Sequence, residues 1–339
     1  FPQNLSFMRF SSGSLGGKGR GIAFMRTLLH RHPIQAGLPN LHIRTPRTGV
    51  IATDEFDVFM DRNKLREFAL SCPDDGEIKR RFLECELSSG LLQDLYAVLE
   101  RAQAPLAVRS SSLLEDSHFQ PFAGLYQTYM LPNNHPNCRE RLRQLSQAIR
   151  LVYASVFSRN AKAYFEATPY SIEEEKMAVI VQELVGWRFG DRYYPAVSGV
   201  AQSYNFYPVG RMTPQDGVAQ LALGLGKTIV DGGAVLRFCP RHPRMLPQFS
   251  DAASWIRGSQ KEFFALNLAS QSFDPEKDDT GLLCCSLEDA EADGVLDLLG
   301  SVYDASEGTM RDTMSIPGPR LVTFSRILKW NELPLPQVI

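Results

Sequence analysis

The sequence predicts an α+β chain of two lobes meeting at a cleft: a helix-rich N-terminal lobe over 1–172 and a sheet-rich C-terminal lobe over 173–339. Three observations predict it. The 339 residues suffice for about two domains. Up to about residue 170 the apolar residues recur mostly at helical spacing, with one or two strand-like runs. After "TPYS" (168–171) the period changes, and "KMAVIVQELV", "PAVSGVAQSY" and "GVAQLALGLG" read as strands in succession.

The elements follow in chain order. After "GGKG", residues 20–32 place Ile22, Met25, Leu28 and Leu29 on one face of a helix. "LHIRTPRTGVIAT" reads as extended chain broken at Pro46 and Gly49, and Thr53 as the cap of a helix with acids in its first turn. Helices are expected near 76–87 and 89–102, the second stopped by Pro105. "PLAVRSSS" reads as a short buried strand and "FAGLYQTYMLP" as a strand or hairpin. The longest helix is expected in 137–166, where Leu142, Leu145, Ile149, Val152, Val156 and Tyr164 keep helical spacing. In the tail, "FSDAASWIRGSQKEFFALNL" reads as partly helical, "AEADGVLDLLGSVYDAS" as helical and "RLVTFSRIL" as a strand. The closing "LPLPQVI" reads as the start of a linker.

Composition narrows the function classes. Apolar residues at 44% and charged residues at 22% suit a globular chain with a large core. A net charge of −2 gives no broad pull toward nucleic acid or anionic membrane, and no apolar run approaches the roughly 18 residues that span a bilayer. The chain opens on Phe1 without a secretion signal, so a piece of a longer or processed protein and a cytoplasmic location are expected. Cys72, Cys85, Cys138, Cys239, Cys284 and Cys285 form no C-x-x-C pair and stand at no zinc spacing from His118 or His242, so packed, reduced thiols are expected. There is no internal repeat or low-complexity segment.

Several segments carry candidate chemistry. "LALGLGKTIVDGG" (221–233) looks like a phosphate loop, but G-x-x-x-x-G-K-[ST] requires glycine where Leu221 stands, so a P-loop NTPase is excluded. "SLGGKGRG" sets Lys18 among Gly16, Gly17, Gly19 and Gly21 just before a helix, where amides and an ammonium suit an anion; a turn with a solvated lysine would look the same. Arg109 ends an apolar strand and runs into Ser110 and two more serines. Its guanidinium can hold two phosphate oxygens, or pair with Glu115 or Asp116 as scaffold. Gly124, among aromatics, suits a loop over a ligand or a plain hairpin turn. Gln182 and Glu183 interrupt an apolar strand, either as adenine- and ribose-reading groups at a strand edge or as the polar tip of an edge strand.

The order of these segments resembles a known family. "SLGGKGRGIAFMRTLL", "IRTPRTGVIATDEFDVFMDRNKL", "LAVRSSSLLEDSHFQPFAGLYQTYM", "AIRLVYASVFSRNAKAYFE", "MAVIVQELV", "VSGVA" and "GLGKTIVDGG" resemble, in one order over about 14–235, the N-terminal nucleotide-binding module of phosphoenolpyruvate synthase and pyruvate phosphate dikinase. The resemblance implies a two-lobed ATP-grasp fold that binds ATP with Mg²⁺. In the family the phosphoryl group passes to a histidine of a separate swivelling domain. It further implies phosphate contacts from Lys18, Arg109 and Ser110, a lid around Gly124 with Thr128 at its base, and adenine and ribose contacts over Gln182, Glu183 and Val185. A further phosphate cation is implied near Arg237 or Arg241.

The sequence departs from the family at two places. Where the family has G-L-G-E, with the glutamate facing Mg²⁺, this chain has Lys227, which cannot bind a hard cation but can contact phosphate directly. Arg109 and Lys227 are therefore the residues assigned to catalysis, with Asp231, Asp216 or Glu183 left to take up the metal. The family's T-S-H-A-type histidine loop does not occur among the contexts of His30, His32, His42, His118, His135 and His242, and the pyruvate-binding barrel is absent too. The expected partners are thus a phosphohistidine-carrier domain and a substrate-binding domain outside these residues. The rival expectation is a non-catalytic ATP-binding sensor or interaction module.

Overall fold

The apolar run Ala178–Glu183 is the middle strand of a five-stranded sheet, and the first half of the chain is built around it. The computed structural model describes residues 6–32, 41–112, 124–276 and 281–339. Its contacts divide the chain into two units, Phe1–Leu184 with Ser270–Gly281, and Val185–Ala269 with Leu282–Ile339. The first unit therefore runs past residue 172, because the strand after "TPYS" pairs inside its sheet. Mixed helix and sheet make the chain α+β. No described helix is long and apolar enough to cross a membrane, and all six cysteines are free.

The first unit runs β1 (Phe7–Arg9), α1 (Gly16–Arg31), β2 (Thr48–Ile51), α2 (Thr53–Arg62), α3 (Arg66–Ser71), α4 (Asp75–Glu84), α5 (Ser89–Leu99), β3 (Leu106–Ser111), β4 (Thr128–Leu131), α6 (Cys138–Ser155), α7 (Arg159–Glu166) and β5 (Ala178–Glu183). The strand order is β1-β2-β5-β3-β4, parallel for β1 and β2 and antiparallel elsewhere. Strand alternation gives the sheet two different faces. Ile51, Val108, Val179 and Val181 join Phe56, Phe59, Phe82, Tyr153 and Phe157 in the main core beneath the helices. Val50, Ala178 and Ile180 face the other way and take Leu15 and Ile22 at the start of α1.

Several expectations are corrected here. Among the described residues four strands, not one or two, precede residue 170. α1 begins at Gly16, so "GGKG" is its first turn rather than the loop before it, and α3 carries no sequence signal we used. The face of Ile22, Met25, Leu28 and Leu29 is only partly covered, with Met25 50% exposed. Thr53 does not cap α2; Ala52 holds that position, and the Thr53 hydroxyl accepts from the Ser14 N–H at 2.9 Å. The helix expected over 137–166 is two, because Ser158 leaves the helical conformation and caps α7 through the Ala161 N–H.

The second unit runs β6 (Trp187–Phe189), β7 (Arg192–Tyr194), β8 (Ser198–Gln202), β9 (Val218–Ala222), α8 (Lys227–Val230), β10 (Leu236–Phe238), α9 (Ala252–Gly258), β11 (Glu262–Asn267), β12 (Leu282–Ser286), α10 (Leu287–Ala292), α11 (Leu296–Leu299), β13 (Gly300–Asp304), β14 (Thr309–Arg311), β15 (Arg320–Val322), α12 (Ser325–Leu328) and α13 (Leu335–Val338). Its described sheets are β10-β9-β8, β12-β11-β7-β6 and β14-β13-β15. Arg192 pins β7 to α10 through Asp289 and a bidentate pair with Asp293, whose other donor is the Tyr194 hydroxyl at 2.7 Å. Two tail expectations change. "GVLDLLGSVYDAS" turns from helix into the strand β13, which lies between β14 and β15, and "RLVTFSRIL" is strand only to Val322. After Val322, Phe324 in the left-handed region (φ +53) turns the chain into α12.

Candidate phosphate-binding site

The first glycine of α1 is there for packing. Gly16 has φ +68, and a Cβ on it would lie 1.7 Å from the Ser111 carbonyl oxygen. Only glycine lets this turn press onto β3. Its amides are already used: Gly16 N–H donates to Ser14 Oγ (3.2 Å), Gly17 N–H to the Ser112 carbonyl (2.9 Å) and Gly19 N–H to Ser111 Oγ (3.0 Å). The expectation that these backbone donors wait for an anion is therefore corrected; what the turn presents is the Lys18 side chain.

That ammonium reaches the Ser110 carbonyl oxygen at 3.3 Å and Ser110 Oγ at 3.4 Å. Arg109 is the preceding residue. It pairs across the sheet with Ile180, so it lies on the face that carries α1, and with Thr128 on its other side. Arg109 is half-buried, and its guanidinium has no hydrogen-bond or ion-pair partner among the described residues. The scaffold partners weighed for it, Glu115 and Asp116, lie outside the described residues, as does most of the loop before Gly124. Gly124 itself has φ +82, and a Cβ on it would meet nothing within 4 Å.

β5 is not an edge strand. It pairs with β2 on one side and β3 on the other, and beyond it the Glu183 N–H donates to Arg47 and the Leu184 N–H to Pro105. Those two amides are not available to a base, which corrects the edge reading. Gln182 shares the Arg109 face, two positions along from Ile180, and its side-chain amide donates to Thr48 Oγ1 at 2.9 Å. The Glu183 carboxylate lies 3.5 Å from Arg47, while Val185 begins the second unit and is exposed. Lys18, Arg109, Ser110 and Thr128 thus lie toward the end of β3, while Gln182 pairs with Ala107 toward its start. The sequence reading passed over Ser111 and Thr48, whose partners lie in segments far along the chain.

In the second unit the P-loop look-alike is the end of β9, a turn and the short α8. Two of the turn's amides are tied inward: Leu223 N–H donates to Gln260 Oε1 and Leu225 N–H to the Phe264 carbonyl, each at 2.8 Å, so these two do not wrap a phosphate. Lys227 lies 2.9 Å from Asp231 Oδ2, and its ammonium sits 5.5 Å from the centre of the Phe264 ring. The Asp216 carboxylate, its side chain only 4% exposed, accepts from the Thr213 N–H at 2.7 Å. That bond, helped by Arg241 and His242 and opposed by burial, holds its carboxyl below the usual range. Arg241 reaches Asp216 at 3.4 Å, and Arg237 donates to Asn205 Oδ1 at 2.8 Å.

A hard divalent cation needs several oxygen ligands. Among the described residues no group of three or more His, Cys, Asp or Glu could hold a metal ion. Asp231 neutralises Lys227, Asp216 serves its own turn, and Glu183 faces Arg47. These acids do not fit an Mg²⁺ site, so no step is derived through the metal.

With the geometry in hand, comparison with known proteins adds the following. The family model of the pyruvate phosphate dikinase AMP/ATP-binding domain matches residues 12–245. The chain is also similar to the uncharacterized phosphotransferase YvkC of Bacillus subtilis (strain 168), at 28% identity over 221 residues. That match covers 65% of this chain but only 23% of the relative.

Proposed function

This chain belongs to the pyruvate phosphate dikinase AMP/ATP-binding domain family, and on that premise we propose that it is the ATP-binding part of a phosphotransferase with the two-lobed ATP-grasp fold. Lys18, Arg109 and Ser110 bind the phosphates, Thr128 and Gly124 border a lid, and Gln182, Glu183 and Val185 lie on the adenine and ribose side. The phosphoryl group is passed to a histidine on a separate domain, with a third domain supplying the final acceptor. The reading carries a cytoplasmic location, where ATP is made.

One observation carries it. The Lys18 ammonium reaches Ser110 at the end of β3, one residue after Arg109 and far from it in sequence, and Arg109 has no counter-ion among the described residues. A half-buried guanidinium with no counter-ion among the described residues is stabilised by an arriving anion. A polyphosphate supplies that anion, and convergent cations are what phosphoryl transfer chiefly asks of a protein. When bound, ATP supplies the phosphoryl group; the chain orients it and balances its charge.

A second reading, ATP binding without turnover, is favoured by the Lys227–Asp231 pair, which puts an ion pair where the family resemblance implies a metal-facing carboxylate. The two readings separate when the full-length protein is mixed with ATP labelled in the phosphoryl groups. Acid-labile label on a histidine supports transfer. Tight binding with no cleavage, in the presence of every domain, refutes transfer and supports the sensor.

A further inference from the structure

The first turn of α1 is closed by a side chain from elsewhere in the chain. In a regular helix the Gly19 N–H would donate to the Leu15 carbonyl, four residues back. Here the Ser111 hydroxyl stands between them, accepting from Gly19 N–H at 3.0 Å and donating to the Leu15 carbonyl oxygen at 2.8 Å. Ser111 is fully buried, and the neighbouring Gly17 N–H donates to the Ser112 carbonyl at 2.9 Å. The opening of the helix is thus bolted to β3, and the residue inside the bolted turn is Lys18.

We infer that Ser111 is a positioning residue for Lys18. Its hydroxyl sets where α1 begins and so fixes the ammonium at Ser110, the residue after Arg109, before any phosphate arrives. This rests on the phosphate-binding role proposed above for Lys18. The local sequence could not do the same work. Gly16, Gly17, Gly19 and Gly21 are each about 1 kcal/mol poorer helix formers than alanine, and the first turn is the costly one to form. No residue of this turn caps it with a side chain at the Leu15 position. Ser110 and Ser111 divide the task by strand alternation: one meets the ammonium, the other holds the backbone that carries it. A lysine fixed in advance loses less side-chain freedom on binding.

The test is a double-mutant cycle on the full chain, with ATP affinity read by titration calorimetry. Lys18→Ala removes a charge-assisted contact worth about 1.5–3 kcal/mol, roughly a 10- to 150-fold loss of affinity. Ser111→Ala should cost about tenfold through the displaced lysine. In the Lys18→Ala background the same change should cost less than about twofold, because nothing is left to misplace. Gly19→Ala is the second probe, for the case that Ser111→Ala does not fold. Its added Cβ would lie 3.1 Å from Leu15 Cβ and 3.4 Å from Val50 Cγ1, shifting the same turn. It should show the same dependence on Lys18. An equal loss in both backgrounds, or no loss in either, overturns the proposal. Wild-type protein that binds no ATP overturns the nucleotide reading, and with it this proposal; that failure is recognised because Lys18→Ala then also changes nothing.

Discussion

Replacing Arg109 by alanine separates a ligand-binding residue from a scaffold residue. In the structure the guanidinium has no described acceptor, so its removal orphans no buried partner among the described residues. The stability cost is then that of the side-chain stem against its neighbours, about 1 kcal/mol. The binding cost is much larger. A guanidinium can hold two phosphate oxygens at once, each charge-assisted bond contributing about 1.5–3 kcal/mol. Losing both costs about 3–5 kcal/mol, or roughly two to three and a half decades in Kd. Titration calorimetry with ATP and urea denaturation on the same samples measure the two quantities. Arg109→Lys keeps the charge but loses the fork, so its affinity should fall between the two. A variant that binds ATP like the wild type yet is destabilised by several kcal/mol would make Arg109 scaffold and refute the reasoning.

Three further outcomes are expected. Gly16→Ala forces a Cβ onto the Ser111 carbonyl at φ +68 and should cost more than about 3 kcal/mol or prevent folding. Gly21→Ala, whose Cβ meets nothing in the same helix, should add about 0.5–1 kcal/mol in denaturant melts. Asp312 is pulled two ways: burial pushes its carboxyl up, but hydrogen bonds from Ser325, Ser301 and the Trp330 indole, with the Lys329 charge, take it below the usual range. A depressed folded-state pKa gives stability that is present above the unfolded value of about 3.9 and is lost as pH falls through the folded one. Asp312→Asn should therefore be less stable than the wild type at pH 7, with the gap closing below about pH 4; a gap independent of pH contradicts the assignment. Lys227→Glu removes the ion pair and sets a second carboxylate beside Asp231, so Mn²⁺ binding that the wild type lacks should appear in a spin-resonance titration. If none appears, the pair of acids is not sufficient for a site.

The elements with strong local signals were readable before any coordinates. The apolar run at 178–181 had to be a buried strand, and the missing glycine at Leu221 excluded a phosphate loop on spacing alone; the helix expected to run to Pro105 instead ends at Leu99. Where local signals were ambiguous, the reading slipped. Three glycines, Gly16, Gly17 and Gly19, argue against helix, and α1 was expected to begin after them at Arg20; docking on β3 outweighs their propensity. The polar tip Gln182-Glu183 suggested an edge, yet β5 is central, because which strands flank it depends on β2 and β3, more than 70 residues earlier.

By itself the sequence determined the inventory: two cations near glycine and serine, a lysine where the family resemblance implies an acid, and an order of segments matching a nucleotide-binding family. Only the tertiary structure decided their use. It brought Lys18 to Ser110 across 92 positions, tied the Gly19 amide to Ser111 of β3, and matched Lys227 with Asp231. The physical reason is that spacing records only what a segment prefers alone. A hydrogen bond between residues 19 and 111 leaves no trace in either neighbourhood until the sheet and the helix are packed together.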